Sequence, residues 1–330
     1  MRLALVVSGN HKKNKTMIHL QISNYTSTFS YLNGHTSQNI KPLDLARAIV
    51  TVGRGSWTDV FNTGVYRIGE LICKALAFST IENGNLVLHD RFFKLNQSEK
   101  VTISYYFGQG LTKLYSEKFL DVKWLFHVDD YDDLIDLETN GIAISKIIIG
   151  QTDKNARKPD LIGIKEHNIS HIFEAKGNSN GYNTSIMQHA INQVSQVKTY
   201  NGIPPKTRTA CFFDLSSIPI QGIIIDPENE DKGIDLTLDE ELAIRRYYSF
   251  FIENRDYFSN VIRYGNFEYL TMPIGVPNIF FGFDKRLLEL RPHELLSEGL
   301  YSNSEFSQNE TNGFREVSLG LDGIIIVNKK

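Results

Sequence analysis

The chain has 330 residues, 41% hydrophobic and 22% charged, which suits one elaborated domain or two smaller ones and excludes a disordered chain. Its net charge of −3 creates no global field for a polyanion, so any nucleic-acid contact must come from local basic patches. The apolar opening, residues 3–7, is too short for a signal-peptide core, and no run approaches the roughly 18 apolar residues of a membrane span, so a cytoplasmic protein is expected.

Cys73 and Cys211 sit in separate apolar runs without metal-ligand spacing, and both are expected to be reduced core thiols. Lys12, Lys13 and Lys15 make one basic cluster, and Lys154, Arg157 and Lys158 make another.

Residues 1–55 mix short strand-like runs (LALVV, MIHLQI) with Ser/Asn/Gly-rich stretches. A helix is predicted over 66–79, where Ile68, Leu71, Ile72, Ala75 and Leu76 recur at helical spacing. A turn at Gly84-Asn85 and the run LVLHDRFFKL suggest strands. Residues 101–128 read as a strand, a turn carried by the glycines of FGQG, a helix over 111–122 and another strand. The acidic run DDYDD lacks a calcium-loop spacing and reads as a solvated loop or helix start. GIAISKIIIG (141–150) has the β-branched continuity of a buried strand.

The next stretch, RKPDLIGIKEHNISHIFEAKG (157–177), reads as a hairpin turning at KEHN. A helix over 184–200 is predicted behind it, capped by Thr184, then strands TRTACFFDL and QGIIID, a helix over 237–256, and a closing strand LDGIIIV. The order points to an α/β sandwich with a mixed sheet.

Side chains alternate along a strand, so Glu174 and Lys176 share a face and Ala175 points away. A hairpin turning at KEHN brings Asp160 to the same corner. Two carboxylates and an ammonium there must be paired or metal-bound. Two carboxylates, a backbone carbonyl and waters suit Mg²⁺ or Mn²⁺.

Pro159-Asp160 and Glu174-Ala175-Lys176 resemble the two motif halves of the PD-(D/E)XK nuclease superfamily. The resemblance covers about residues 110–225. It implies a restriction-endonuclease-like core, with a central mixed β-sheet flanked by helices, carrying N- and C-terminal extensions. Asp160, Glu174 and the carbonyl of Ala175 would hold the metal, and Lys176 would assist the attacking water in phosphodiester hydrolysis. The expected division is an N-terminal region 1–105, a nuclease core 106–230 and a C-terminal α/β extension 231–330.

On the helix predicted over 184–200, His189, Gln193, Gln196 and Tyr200 fall on one stripe beside the apolar one. Residues 196–200 also resemble the Gln-hydrophobic-x-x-Tyr signature of exonuclease-like branches of that superfamily. Gln193 and Gln196 are candidates for positioning the lysine or the substrate. Arg157, Lys158, His189 and Tyr200 are candidate nucleic-acid contacts. The family often adds an acid from a preceding helix, and two compete: Glu117, favoured by proximity, and Glu70, on the cleaner amphipathic helix.

The reading is a Mg²⁺- or Mn²⁺-dependent nuclease acting on DNA, with RNA the other nucleic acid left open and restriction or antiviral defence as its setting by analogy. The alternative is a catalytically inactive nuclease-fold subunit that binds nucleic acid or a partner protein. A second copy of the chain and a separate ATPase subunit are the protein partners left open; a membrane is not expected. Gly177-Asn178-Ser179-Asn180-Gly181 fits GxSxG, but residues intervene before the next helix, which disfavours a nucleophile elbow.

Overall fold

The computed structural model describes residues 17–52, 65–139, 142–143, 158–229, 233–301 and 313–330. The run 3–7, the cluster Lys12, Lys13 and Lys15, the pair Lys154 and Arg157, and most of GIAISKIIIG lie outside them.

Strand β1 (Met17–Ser23) buries Ile18, Leu20 and Ile22 and exposes His19 and Gln21, the period of a half-covered strand, and pairs antiparallel with β2 (Gly34–Asn39). Helix α1 (Pro42–Val52) is buried along almost its whole length. Helix α2 (Tyr66–Phe78) buries the expected stripe, and Ser79 caps its end. Cys73 falls off that stripe and is exposed, so only Cys211 is a core thiol. β3 (Ser79–Glu82) and β4 (Asn85–Leu88) form a hairpin whose turn is Asn83-Gly84, with φ of 50° and 78°. The rest of LVLHDRFFKL is not a strand but the single helical turn α3 (Asp90–Phe93).

The strand, turn and helix expected over 101–122 are one 24-residue helix, α4 (Gln97–Leu120). Asn96 and Glu99 close a reciprocal capping box that starts the helix upstream of its β-branched residues. The glycines that read as a turn are close-approach sites: a Cβ on Gly108 would lie 2.5 Å from the Gly177 nitrogen, and one on Gly110 2.8 Å from Ile49 of α1. Helix α4 therefore lies directly against the strand that carries Lys176.

Downstream come β5 (Trp124–His127), β6 (Ile135–Thr139), β7 (Ile142–Ala143) and the expected hairpin β8 (Leu161–Glu166) and β9 (Ile169–Asn178). Helix α5 (Thr184–Ser195) is shorter than expected, and Asn183, not Thr184, caps it. Residues beyond it form β10 (Val197–Tyr200), whose β-branched Val197 and Thr199 suit a strand and whose edge is paired by β13 (Ile234–Leu238). β11 (Arg208–Asp214) and β12 (Gln221–Ile225) stand as expected, as do helix α6 (Glu240–Glu253) and, after β14 (Asn260–Tyr264), β15 (Phe267–Pro273), β16 (Ile279–Asp284), helix α7 (Pro292–Glu298) and β17 (Phe314–Leu319), the closing strand β18 (Ile324–Lys329).

The fold is mixed α/β. Its principal sheet runs β3-β4-β1-β12-β11-β9-β8-β5, with β2 also paired to β1, off this path. Within it, β9, α5 and β11 make a parallel crossover unit, and β8-β9 and β11-β12 are antiparallel. A second sheet runs β10-β13-β6-β7 and a third β14-β15-β16-β18-β17. One hydrophobic core joins residues from Ile18 to Val327. The 105/106 division falls inside α4, and β1 shares the sheet of the hairpin. Among the described residues, no helix is long and apolar enough to cross a membrane.

Candidate active site

The β8-β9 hairpin is held at both ends. At the turn, Asn168 takes φ 59°, its amide donates to Glu240 at 3.3 Å, and His167 Nδ1 lies 2.7 Å from Glu240 Oε2, so the first residue of α6 clamps the turn. At the open end, the register of Leu161 opposite Phe173 puts Asp160 opposite Glu174. The Asp160 carbonyl accepts from the Val128 amide at 2.9 Å, and Gln193 Nε2 donates to the Lys158 carbonyl at 3.1 Å.

Four contacts knit the corner together. The Asp160 amide donates to Glu174 Oε2 at 2.8 Å, and the Ala175 amide donates to Asp160 Oδ2 at 3.1 Å. Lys176 Nζ donates to Asp160 Oδ2 at 3.3 Å and also to Glu174 Oε1. Glu174 is fully buried, whereas Lys176 and Asp160 keep part of their side chains in solvent. Burial first, and then the Asp160 charge, push the Glu174 carboxyl above the ordinary range, and Lys176 offsets this only in part. Burial pulls the Lys176 ammonium down, but both carboxylates outweigh it, so its pKa is raised and it is charged at neutral pH.

The corner thus carries two carboxylates against one ammonium. Among the described residues, no group of three or more His, Cys, Asp or Glu side chains converges. The donor set is the smaller one of two carboxylates and a main-chain carbonyl, which fits Mg²⁺ or Mn²⁺, because Mg²⁺ binds through one or two carboxylates and keeps several waters. The raised proton affinity of Glu174 comes first from its burial and second from the neighbouring Asp160 charge.

The other expected residues divide. Gln193 reaches the corner through Lys158, as described. Gln196 follows the end of α5, where its carbonyl accepts from Ile234 at 2.6 Å. Tyr200 is buried in β10, so His189, Gln193, Gln196 and Tyr200 do not share one helical stripe. His189 lies exposed on α5, and Arg157 lies outside the described residues. Glu117 sits about 18 Å along α4 from Tyr105, at 1.5 Å per residue, in a bidentate pair with Arg47 (3.0 and 2.6 Å) and 3.2 Å from Lys113. Glu70 pairs on the surface of α2 with Arg67, at 2.8 Å, and with Lys74.

Sequence reasoning missed the wall that α4 builds beside the corner. A cleft of about 280 Å³ opens between the N-terminal half of α4, the end of β9 and the start of α5, and Lys176 lines it. Tyr105 lines it too, its hydroxyl 2.7 Å from His127 Nε2 at the end of β5. Reading 97–120 as one helix would have exposed this wall, because Gln97, Val101, Ser104, Tyr105 and Gly108 then recur on one face. Ser179 of the GxSxG match lies in the same cleft, but α5 begins five residues after it, without the strand-to-helix elbow a nucleophile needs.

No family model matches this chain, and no curated protein or solved structure matches it.

Proposed function

We propose that the chain is a metal-dependent nuclease with a restriction-endonuclease-like core, hydrolysing phosphodiester bonds in DNA. The observation that carries the reading is the convergence of Asp160, Glu174 and Lys176 at one open sheet corner, two carboxyl groups for one ammonium. The parallel β9-α5-β11 crossover beside an antiparallel hairpin accords with such a core.

Asp160, Glu174 and the Ala175 carbonyl would hold the cation. When bound, it would supply Lewis acidity at the phosphoryl group and make the attacking water more acidic. The chain's own residues do the rest. Lys176, charged at neutral pH, orients the water and offsets charge developing on the phosphate; it is not a general base. Glu174 must lose its proton before the cation binds. The Ala175 amide fixes the Asp160 carboxylate, and Gln193 fixes the backbone at Lys158, just ahead of Pro159-Asp160.

The test is a cleavage assay on duplex DNA, single-stranded DNA and RNA with Mg²⁺ or Mn²⁺. Cutting is expected, with a loss of at least about 10³-fold in Asp160→Ala and Lys176→Ala, the scale of removing a transition-state contact. Cutting unchanged in both variants, or none on any substrate, refutes the assignment.

A further inference from the structure

The cleft beside Lys176 has the wrong chemistry for a phosphate track. Lys176, already engaged by two carboxylates, is the single charged side chain among the described residues lining it. The α4 wall supplies Gln97, Val101, Ser104 and Tyr105, and the facing side supplies Asn180 and Ile186. Such a surface, one aromatic ring with aliphatic neighbours and amide and hydroxyl groups, suits a flat, uncharged heterocycle with polar edges. Its volume of about 280 Å³ is that of one small ligand.

Two further observations bear on the cleft. Ser104, one of its lining residues, has a buried hydroxyl with no hydrogen-bond partner among the described residues. Tyr105 is fixed rather than mobile: its hydroxyl is tied to His127, and His127 Nδ1 in turn accepts from the Asp129 amide at 3.3 Å. His127 ends β5 opposite Leu161, the residue after Asp160, so the ring is held in register with the catalytic corner.

We infer that this cleft receives an unstacked nucleobase of the substrate, beside the phosphate bound at Asp160, Glu174 and Lys176, with Tyr105 as the stacking platform. This rests on the nuclease reading and narrows it: the substrate is single-stranded, or carries an unpaired nucleotide that can swing out of the stack.

The experiment is binding, separate from cleavage. Oligonucleotides with one 2-aminopurine are titrated with the full chain in Ca²⁺, as a single strand, a perfect duplex and a duplex with the 2-aminopurine bulged. Quenched fluorescence is expected with the single strand and the bulge and not with the perfect duplex. Tyr105→Ala should weaken binding about 10-fold and relieve quenching, the scale of losing one base–aromatic stack, while Tyr105→Phe should bind as the parent does. Asn180→Ala, in an exposed loop, guards against a folding defect in Tyr105→Ala and should also weaken binding. Equal binding of single strand and perfect duplex without quenching, full binding by Tyr105→Ala, or no binding at all overturns the inference. If duplex is cut in a Lys176-dependent way while Tyr105→Ala is neutral, the nuclease reading survives and this one falls. Base-dependent quenching without any cleavage leaves the reverse.

Discussion

The molecule buries charge in two places, and their difference separates scaffold from site. Behind α4, Arg47, Lys113, Glu117 and Asp322 form two positive and two negative groups with side-chain exposures of 3, 0, 9 and 0%. Three of the four are further tied: Arg47 donates to Ser318 at 3.1 Å, Lys113 to the Lys123 carbonyl at 2.7 Å, and Tyr247 to Asp322 at 2.7 Å. This cluster is neutral and closed, and it joins α1 and α4 to the third sheet. The Asp160, Glu174 and Lys176 corner sets two carboxyl groups against one ammonium, keeps Glu174 protonated at neutral pH until a cation displaces the proton, and opens on a cleft. Balanced and sealed charge holds a fold together, while an open cluster with a carboxyl in excess can take up a cation.

The sharpest way to break this comparison is to unbalance the closed cluster. Glu117→Ala leaves Arg47 and Lys113 buried without their shared carboxylate and should cost about 3–5 kcal/mol of stability in urea unfolding. Cleavage per folded molecule should be unchanged. Lost cleavage in a variant of parental stability would make Glu117 part of the site.

The second prediction uses proton linkage at the open corner. Glu174 has a raised native pKa, so between the usual glutamate value of 4.5 and that raised value the folded state holds more protons than the unfolded one. In metal-free protein its contribution to stability is therefore full below that window and falls as pH rises through it, by at most about 1.4 kcal/mol per pH unit. Thermal melts across pH in a chelator, wild type against Glu174→Gln, read this directly. The fall should be shallower in the variant, and an identical profile in both would show that Glu174 is not strained.

The smallest effect is expected at Glu70. Its side chain is 45% exposed and its partners lie on its own helix, so Glu70→Ala should change stability by under about 1 kcal/mol and leave cleavage intact. A large loss of cleavage would move Glu70 into the site.

What could be read from the sequence follows the range of the interactions. The hairpin and its Asp160, Glu174, Lys176 corner were legible because strand alternation and a short turn are local. The α2 stripe was legible for the same reason. Helix α4 was misread because the glycines of FGQG look like a turn, when they admit β9 and α1, segments far away in the chain. Residues 196–200 were misread as helix because the pairing of β10 with β13 is likewise remote. Glu117 showed only as an acid on a helix, since Arg47, which neutralises it, lies 70 residues away. Tyr105 escaped notice because only the packing of α4 brings it into one cleft with Lys176.

The central claim is that the Asp160 and Glu174 carboxylates form a divalent-cation site. Titration calorimetry with Mn²⁺ on wild type, Asp160→Asn, Glu174→Gln and Glu117→Gln tests it most directly. Saturable binding to wild type and Glu117→Gln, lost in Asp160→Asn and Glu174→Gln and stronger at pH 8 than at pH 6, is the predicted result. No binding by wild type, or binding that survives in Asp160→Asn and Glu174→Gln, would contradict it.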